Sequence, residues 1–145
     1  MRATPAAAVE LIKRFESLHL ERYICPAGYP TIGWGHVCPP DQPPIDREQA
    51  GELLRKDLGV AEVAICNALP GRWLALSDGQ FGAIVSWTFN VGTGAMRSST
   101  LIRMVKAGDL AGAAEEFPKW RRGGGRILPG LVKRRAAERE MFLGA

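Results

Sequence analysis

The stretch ESLHLERYICPAGYPTIGWGH, residues 16–36, decides the fold that this chain adopts. Ala27-Gly28 predicts a turn between two short extended runs within it. From Thr31 to His36, small residues alternate with larger ones, which predicts one continuous strand with two distinct faces. Glycines share the face of Thr31, so this face is left open to a large ligand.

The segment before this stretch predicts a helix. Thr4 followed by Pro5 is typical of a helix start, with the threonine as N-cap and the proline in the first turn. Ala8, Ile12 and Phe15 then repeat at helical spacing. We expect this helix to end near Glu16, whose side chain lies beside the apolar stripe.

A long helix is predicted after a rigid proline-rich loop at residues 39–44. Asp46 and Gln49 have the spacing of a capping box, which places the helix start there. The helix is expected to run to about Ala68. Its apolar stripe consists of Ala50, Leu53, Leu54, Leu58, Ala61 and Ile65.

The rest of the chain is predicted to be helical, on start and stop signals of the same kind. The signals are a capping box at Ser77 and Gln80, a start at Ser98 or Ser99 with a stop at Gly108, a cap at Asp109 with a stop at Pro118, and a last start at Pro129-Gly130. Three glycines at residues 123–125 predict a flexible loop. The fold class is therefore α+β, mainly α.

We expect a single domain of two lobes. A small β-containing lobe covers about residues 17–45 and a connecting helix about 46–68. A helical lobe covers about 70–145 and includes the N-terminal helix. The groove between such lobes is the natural place for a long polymer.

Composition limits the classes of function. The 145 residues are 46% apolar and 23% charged, with a net charge of +4, which suits a soluble domain with a slight preference for polyanions. No aromatic-basic or helix-turn-helix motif supports a nucleic-acid binder. The longest apolar run, residues 81–89, is too short to span a bilayer, and no signal-peptide core is found.

The three cysteines do not form a disulfide framework or a zinc motif. Pairing of Cys25 with Cys38 stays open at this stage, and it would switch off any site that needs the Cys25 thiol. We expect no metal and no organic cofactor.

The spacing Glu16-x8-Cys25-x5-Thr31 resembles the signature of phage lysozymes of glycoside hydrolase family 24, in the branch that has cysteine at its second position. The run CPAGYPTIGWGH at residues 25–36 is similar to the family's CPAG-x-x-TIG-aromatic-G-H. Three later stretches also resemble family motifs in family order: FNVG at 89–92, STL at 99–101 and GLVKRRAAE at 130–138. The resemblance implies a lysozyme-like fold.

The resemblance also implies roles. Glu16 matches the general acid, and Thr31 matches the threonine that holds the attacking water. Cys25 stands where other members have aspartate, so we expect it to position water rather than to attack the sugar. An apolar surrounding, together with the carbonyl end of its helix, would favour the protonated form of Glu16.

Four residues are weaker site candidates. His36 is expected to brace the site through a hydrogen bond, and Asn90 to support the turn after its helix. Arg134 or Arg135 is expected to approach Glu16, because the family places a basic residue of the last helix there. Such a cation opposes proton retention by the acid.

The resemblance predicts a muramidase that cleaves the β-1,4 bond between N-acetylmuramic acid and N-acetylglucosamine with inversion, as a phage or prophage endolysin. Its partner would be peptidoglycan. It would leave the host cytoplasm through a holin-type pore, and it would act as a monomer. Two alternatives stay open: a lytic transglycosylase, and a wall-binding module without catalysis.

Overall fold

The computed structural model describes residues 1–144. Helices dominate it, and two small antiparallel sheets complete it. The predicted α+β, mainly α class is confirmed. No helix within these residues combines the length and the apolar character needed to cross a membrane.

The first helix, α1 (Ala6–Glu16), begins differently from the prediction. Its N-cap is Pro5, which makes no side-chain capping bond, so Thr4 as N-cap was wrong. The amide and hydroxyl of Thr4 instead both donate to the Glu62 carboxylate, at 2.8 and 2.6 Å. A long-range contact has thus replaced the local cap and ties the N-terminus to the long helix. The predicted end at Glu16 is confirmed.

The first sheet holds three strands, β1 (His19–Ile24), β2 (Pro30–Gly33) and β3 (His36–Val37), in that order. The predicted turn at Ala27-Gly28 lies between β1 and β2. The single strand predicted across residues 31–36 was wrong, because the chain reverses after Gly33. Gly33 and Gly35 have φ of +67° and +74°, which is the left-handed region of backbone conformation. Glycine adopts this region readily, whereas the residues of a regular strand have negative φ.

The long helix α2 (Arg47–Ala68) has the predicted bounds and the predicted capping box. Asp46 accepts from the Gln49 amide at 2.7 Å, and the Gln49 side chain accepts from the Asp46 amide at 2.9 Å. Its apolar stripe faces the core, except that Leu53 is only partly buried.

The centre of the fold is α3 (Asp78–Val91), in which every residue from Phe81 to Thr88 is buried. It packs against α1, α2 and the last helix, which explains why its sequence is apolar nearly all round. A Cβ on Gly82 would lie 2.9 Å from the Cβ of Ala8, so glycine permits the close approach of α1. The predicted capping box at Ser77 and Gln80 is confirmed.

Three short helices follow: α4 (Thr93–Arg97), α5 (Thr100–Ala107) and α6 (Leu110–Ala114). The start at Ser99 and the stop at Gly108 are confirmed for α5. In contrast, α6 ends at Ala114, well before the predicted stop at Pro118. The chain there turns inward to bury Phe117, which packs edge-on against Trp87.

The glycine-rich segment is ordered as a hairpin rather than a flexible loop. Its strands are β4 (Arg122–Gly123) and β5 (Arg126–Ile127). Gly124 and Gly125 form the two-residue turn with φ of +59° and +79°, the positive values that such turns require. The last helix, α7 (Pro129–Leu143), starts where it was predicted to start.

Candidate active site

Glu16 is the last residue of α1 and leads into the small sheet. Ser17, the next residue, has φ +58° and ψ 154°, a backbone region occupied almost only by glycine. Such strain is tolerated only where the surroundings hold the residue in place. The sharp exit from α1 therefore fixes the Glu16 carboxyl between the helices and the sheet.

One side of this carboxyl contacts α7. The Oε2 atom of Glu16 accepts from Nη1 of Arg134 at 2.5 Å. The Arg134 side chain is only 3% exposed, whereas that of Glu16 is 18% exposed. One edge of the carboxyl therefore pairs with a buried cation while part of the group stays open to solvent or ligand.

The Arg134 guanidinium is fixed by two further partners. Its Nε donates to Glu138 at 3.2 Å, and its Nη2 donates to the Ser86 carbonyl at 3.0 Å. Glu138 is fully buried, and it also accepts from Arg135 and from the Ser86 hydroxyl, the latter at 2.6 Å. This network links α7 to α3 and leaves Arg134 little freedom to follow Glu16 if the carboxyl moves.

The other side of the carboxyl contacts the reversal between β2 and β3. A Cβ built on Gly35 would lie 2.5 Å from Oε1 of Glu16 and 2.9 Å from its Cδ. The carboxyl thus occupies the space that any side chain at position 35 would need. Gly35 and Arg134 together hold the Glu16 carboxyl from opposite directions.

Cys25 begins the turn that joins β1 to β2, and Thr31 lies in β2 just after that turn. The Cys25 amide donates to the Tyr29 carbonyl at 2.9 Å, and the Thr31 hydroxyl donates to the same carbonyl at 2.9 Å. Thr31 is 3% exposed and Cys25 is partly exposed. The Tyr29 carbonyl therefore ties the Cys25 backbone and the Thr31 hydroxyl to one point of the chain.

The surroundings of Cys25 favour its thiolate. Burial raises the pKa of Cys25, but hydrogen bonds from the Tyr29 backbone, the Thr31 hydroxyl, and the Ala27 and Gly28 backbone outweigh it. The pKa therefore lies below its ordinary value. A thiol here approaches the anionic character of the aspartate found in other members of the resembled family more closely than an isolated cysteine would.

Tyr23 belongs to the same site and was missed by sequence reasoning. It lies directly opposite Thr31 in the β1–β2 pairing, so the two side chains are cross-strand neighbours. Burial, followed by the charges of Glu16 and Cys25, raises the pKa of Tyr23. Both groups thus lie close enough to act on its hydroxyl. Its position two residues before Cys25 was the available signal.

The four weaker candidates differ in whether they contact Glu16. Arg134 contacts Glu16 directly, while Arg135 lies behind it, 1% exposed and paired with Glu138 at 2.7 Å. His36 bonds Asp57 of α2 through Nδ1 at 2.7 Å, so it braces β3 against the long helix. Asn90 is exposed near the end of α3, and its support of the following turn stays a prediction.

The three cysteines are free thiols in the structure. Cys25 follows β1 and Cys38 follows β3, the two outer strands of the sheet, with β2 between them. The structure therefore contains no Cys25–Cys38 disulfide.

Two cavities lie away from these residues, one between α2 and α5 and one between α1 and α7. Neither is lined by Glu16, Cys25 or Thr31, so the predicted polymer groove stays a prediction. Over residues 1–144 no cluster of three or more His, Cys, Asp or Glu side chains is arranged to hold a metal ion.

Comparison with known proteins gives a consistent result. A family model described as phage lysozyme matches residues 13–138. The chain is 40% identical to an endolysin of Bacillus phage B103 over 94% of its own length and 52% of that relative. It is 33% identical to an endolysin of Salmonella phage P22 over 91% of this chain and 92% of the relative. The chain thus spans about half the length of the Bacillus phage relative and nearly all of the Salmonella phage one.

Solved structures agree with the sequence comparison. The muramidase domain of SpmX from Asticaccaulis excentricus superposes with a TM-score of 0.86 at 34% identity, covering 99% of both chains. The predicted lysozyme-like fold is confirmed by this likeness.

Proposed function

This chain belongs to the phage lysozyme family, and from that premise we propose that it is a muramidase. Its substrate would be the β-1,4 bond between N-acetylmuramic acid and N-acetylglucosamine of peptidoglycan. The observation that carries the proposal is the Glu16 carboxyl, held between Arg134 and the Gly35 backbone and partly open to a ligand.

In the proposed reaction Glu16 protonates the departing glycosidic oxygen. A bound sugar would cover the exposed part of the carboxyl and disfavour its charge before the chemical step. As the proton leaves, negative charge develops on Glu16, and the guanidinium of Arg134, 2.5 Å away, stabilises it. Arg134 thus stabilises the carboxylate that proton transfer would leave behind.

Water is the proposed nucleophile, and Cys25 and Thr31 would hold it. The Thr31 hydroxyl, which donates its proton to the Tyr29 carbonyl, can accept a hydrogen bond from water, and the thiolate-favouring surroundings of Cys25 provide a second acceptor for a water proton. Since attack would come from the face opposite Glu16, the anomeric configuration would invert and no glycosyl-enzyme would form. Cys25 acts here as a water ligand and not as the group that attacks the sugar.

The proposal also includes the place where the glycan binds and the setting in which the protein acts. The groove between a small lobe of about residues 17–45 and the helical remainder would hold the glycan strand. The protein would act as a monomer in phage or prophage lysis, waiting in the host cytoplasm until a holin-type pore admits it to the wall.

The products test this proposal. Purified peptidoglycan is digested to completion, and the fragments are analysed by mass spectrometry after borohydride reduction. A muramidase adds water and leaves reducible muramic acid ends, whereas a lytic transglycosylase leaves 1,6-anhydro ends that borohydride does not reduce and that are therefore lighter by one water and two hydrogens, about 20 mass units. Anhydro ends, or intact wall after binding, would contradict the proposal.

A further inference from the structure

A second site lies on the helical part of the molecule, between the end of α2 and one face of α5. It is a cavity of about 530 Å³, within the range of roughly 300–1,000 Å³ typical of small-ligand sites. None of Glu16, Cys25 and Thr31 lines it, so it is separate from the candidate active site.

Three cations converge on this cavity: Arg97, Arg103 and Lys106. No carboxylate is among its lining residues, and within residues 1–144 none of the three forms an ion pair. The nearest side-chain partner recorded for Arg103 is a neutral hydroxyl, that of Thr100, at 3.2 Å. Three like charges around one concavity repel each other, and an anion placed among them would relieve that repulsion.

Neutral hydrogen-bonding groups complete the lining. The exposed Ser98 hydroxyl makes two long contacts, of 3.3 Å to the Gly94 carbonyl and 3.5 Å to the Ala95 carbonyl, which a ligand oxygen can replace. The amide side chain of Asn67 supplies another donor from the end of α2. The planar guanidinium groups of Arg97 and Arg103 and the mobile ammonium of Lys106 can bind the several oxygens of a phosphate at once. A single carboxylate would engage only one of these three cations.

We propose that this cavity, defined by Arg97, Ser98, Arg103 and Lys106, is a phosphate-binding site that holds a phosphodiester chain carried by the cell wall. The assignment to a wall polymer rests on the proposed function, while the phosphate chemistry does not. A chain of the poly(glycerol phosphate) type has the repeated single charges and small polar units that the cavity accommodates.

Other phosphate carriers fit the lining less well. Its one large apolar residue is Ile102, which is only 4% exposed, so no large apolar side chain is offered to the acyl region of a membrane. No aromatic side chain lines the cavity, so the bases of a nucleic acid would find no stacking platform. The wall polymer therefore suits the site better than a lipid surface or a nucleic acid.

The phosphate chemistry is tested first with inorganic phosphate. Backbone amide shifts are followed by NMR, and the titration is expected to move the signals of residues 97–106. The double variant R103Q/K106Q should weaken phosphate binding by at least about tenfold. The matched control R55Q/K56Q removes the same charge from exposed positions of α2 and should change binding less than about twofold. Equal weakening in the two doubles, or no shifts in residues 97–106, would overturn the site.

The polymer is tested next, with soluble poly(glycerol phosphate), phosphatidylglycerol vesicles and duplex DNA compared at one ionic strength. R103Q/K106Q should lose affinity mainly for poly(glycerol phosphate). A loss confined to vesicles or DNA would overturn the wall assignment. E16Q should keep phosphate binding while losing hydrolysis, so failure of the second site and failure of the muramidase proposal give different results. Both arginine-lysine doubles are checked for unchanged thermal unfolding.

Discussion

The Nη1 atom of Arg134 lies 2.5 Å from Oε2 of Glu16, and the two residues are 118 positions apart in the chain. This contact joins the end of the first helix to the middle of the last one. Because Arg134 is also bonded to Glu138 and to the Ser86 carbonyl, the position of the proposed acid depends on a buried network of α3 and α7.

Glu138→Gln is predicted to destabilise the fold. Glu138 is the fully buried carboxylate between Arg134 and Arg135, and its neutralisation leaves two buried guanidiniums without their shared counter-charge. The free energy of unfolding, measured with urea, should fall by about 3 kcal/mol. Glu115→Gln is the matched control, because Glu115 pairs with Arg139 on the exposed surface and should leave stability unchanged. Equal stability of the two variants would refute the role given to the network.

Gly35→Ala is predicted to impair activity more than stability. The new methyl group would lie 2.5 Å from Oε1 of Glu16, so the carboxyl must move away from its place beside Arg134. A displacement near 1 Å can reduce kcat/KM by about 100-fold. Turbidity assays on stained or suspended cell walls would measure this loss.

Gly71→Ala supplies the control for Gly35→Ala. Gly71 has φ +75°, nearly the +74° of Gly35, but nothing lies within 4 Å of a Cβ built there. Both variants therefore carry similar backbone strain, of order 1 kcal/mol, while only Gly35→Ala displaces Glu16. Loss of activity in both to the same extent would show that backbone strain alone is responsible.

Cys25 is predicted to be the most reactive thiol of the three and to link stability to pH. Its pKa lies below the ordinary value in the folded state, so folding is favoured where the thiolate forms. This contribution to the free energy of unfolding is fully present above the pKa that Cys25 has in the unfolded chain. It is lost as the pH falls through the pKa that Cys25 has in the folded protein. Cys38 and Cys66 are buried, at 7% and 5% exposure, and should react more slowly.

Two measurements check the Cys25 prediction. Iodoacetamide labelling followed by peptide mass mapping should modify Cys25 first at neutral pH. Urea unfolding of wild type and Cys25→Ser should show a stability difference that grows in favour of wild type as pH rises toward 9. A difference that shrinks over this interval would mean that the turn does not stabilise the thiolate.

Local signals explain which elements could be predicted from sequence. The capping boxes at Asp46 and Ser77 are complete within four residues, so no distant contact was needed to place α2 and α3. At Thr4 the same reasoning was wrong, because Glu62 captures the threonine from 58 positions away. The reversal at Gly35 was also missed, since alternation alone does not distinguish one strand from two joined by glycines.

In the candidate site, too, the residues with a local sequence signal were predicted and those that depend on long-range packing were missed. Glu16, Cys25 and Thr31 were identified through their spacing, and Arg134 through the motif of the last helix. Tyr23 was missed because its relevance depends on the register that sets it opposite Thr31. The proposed second site was not foreseen, since its cavity forms only when the end of α2, with Asn67 and Pro70, packs near the segment that carries the three cations.

The measurement that tests the account most directly is the initial rate of peptidoglycan hydrolysis by Glu16→Gln, with Glu10→Gln as control. Glutamine keeps the size of Glu16 but cannot donate the acid proton, and Glu10 is an exposed carboxylate on the same helix. Glu16→Gln should lower kcat by about 1,000-fold in a protein that still unfolds cooperatively on heating, because Arg134 keeps its bonds to Glu138 and to the Ser86 carbonyl. Glu10→Gln should stay within about twofold of wild type. A folded Glu16→Gln protein that hydrolyses the wall as fast as Glu10→Gln does would contradict the account.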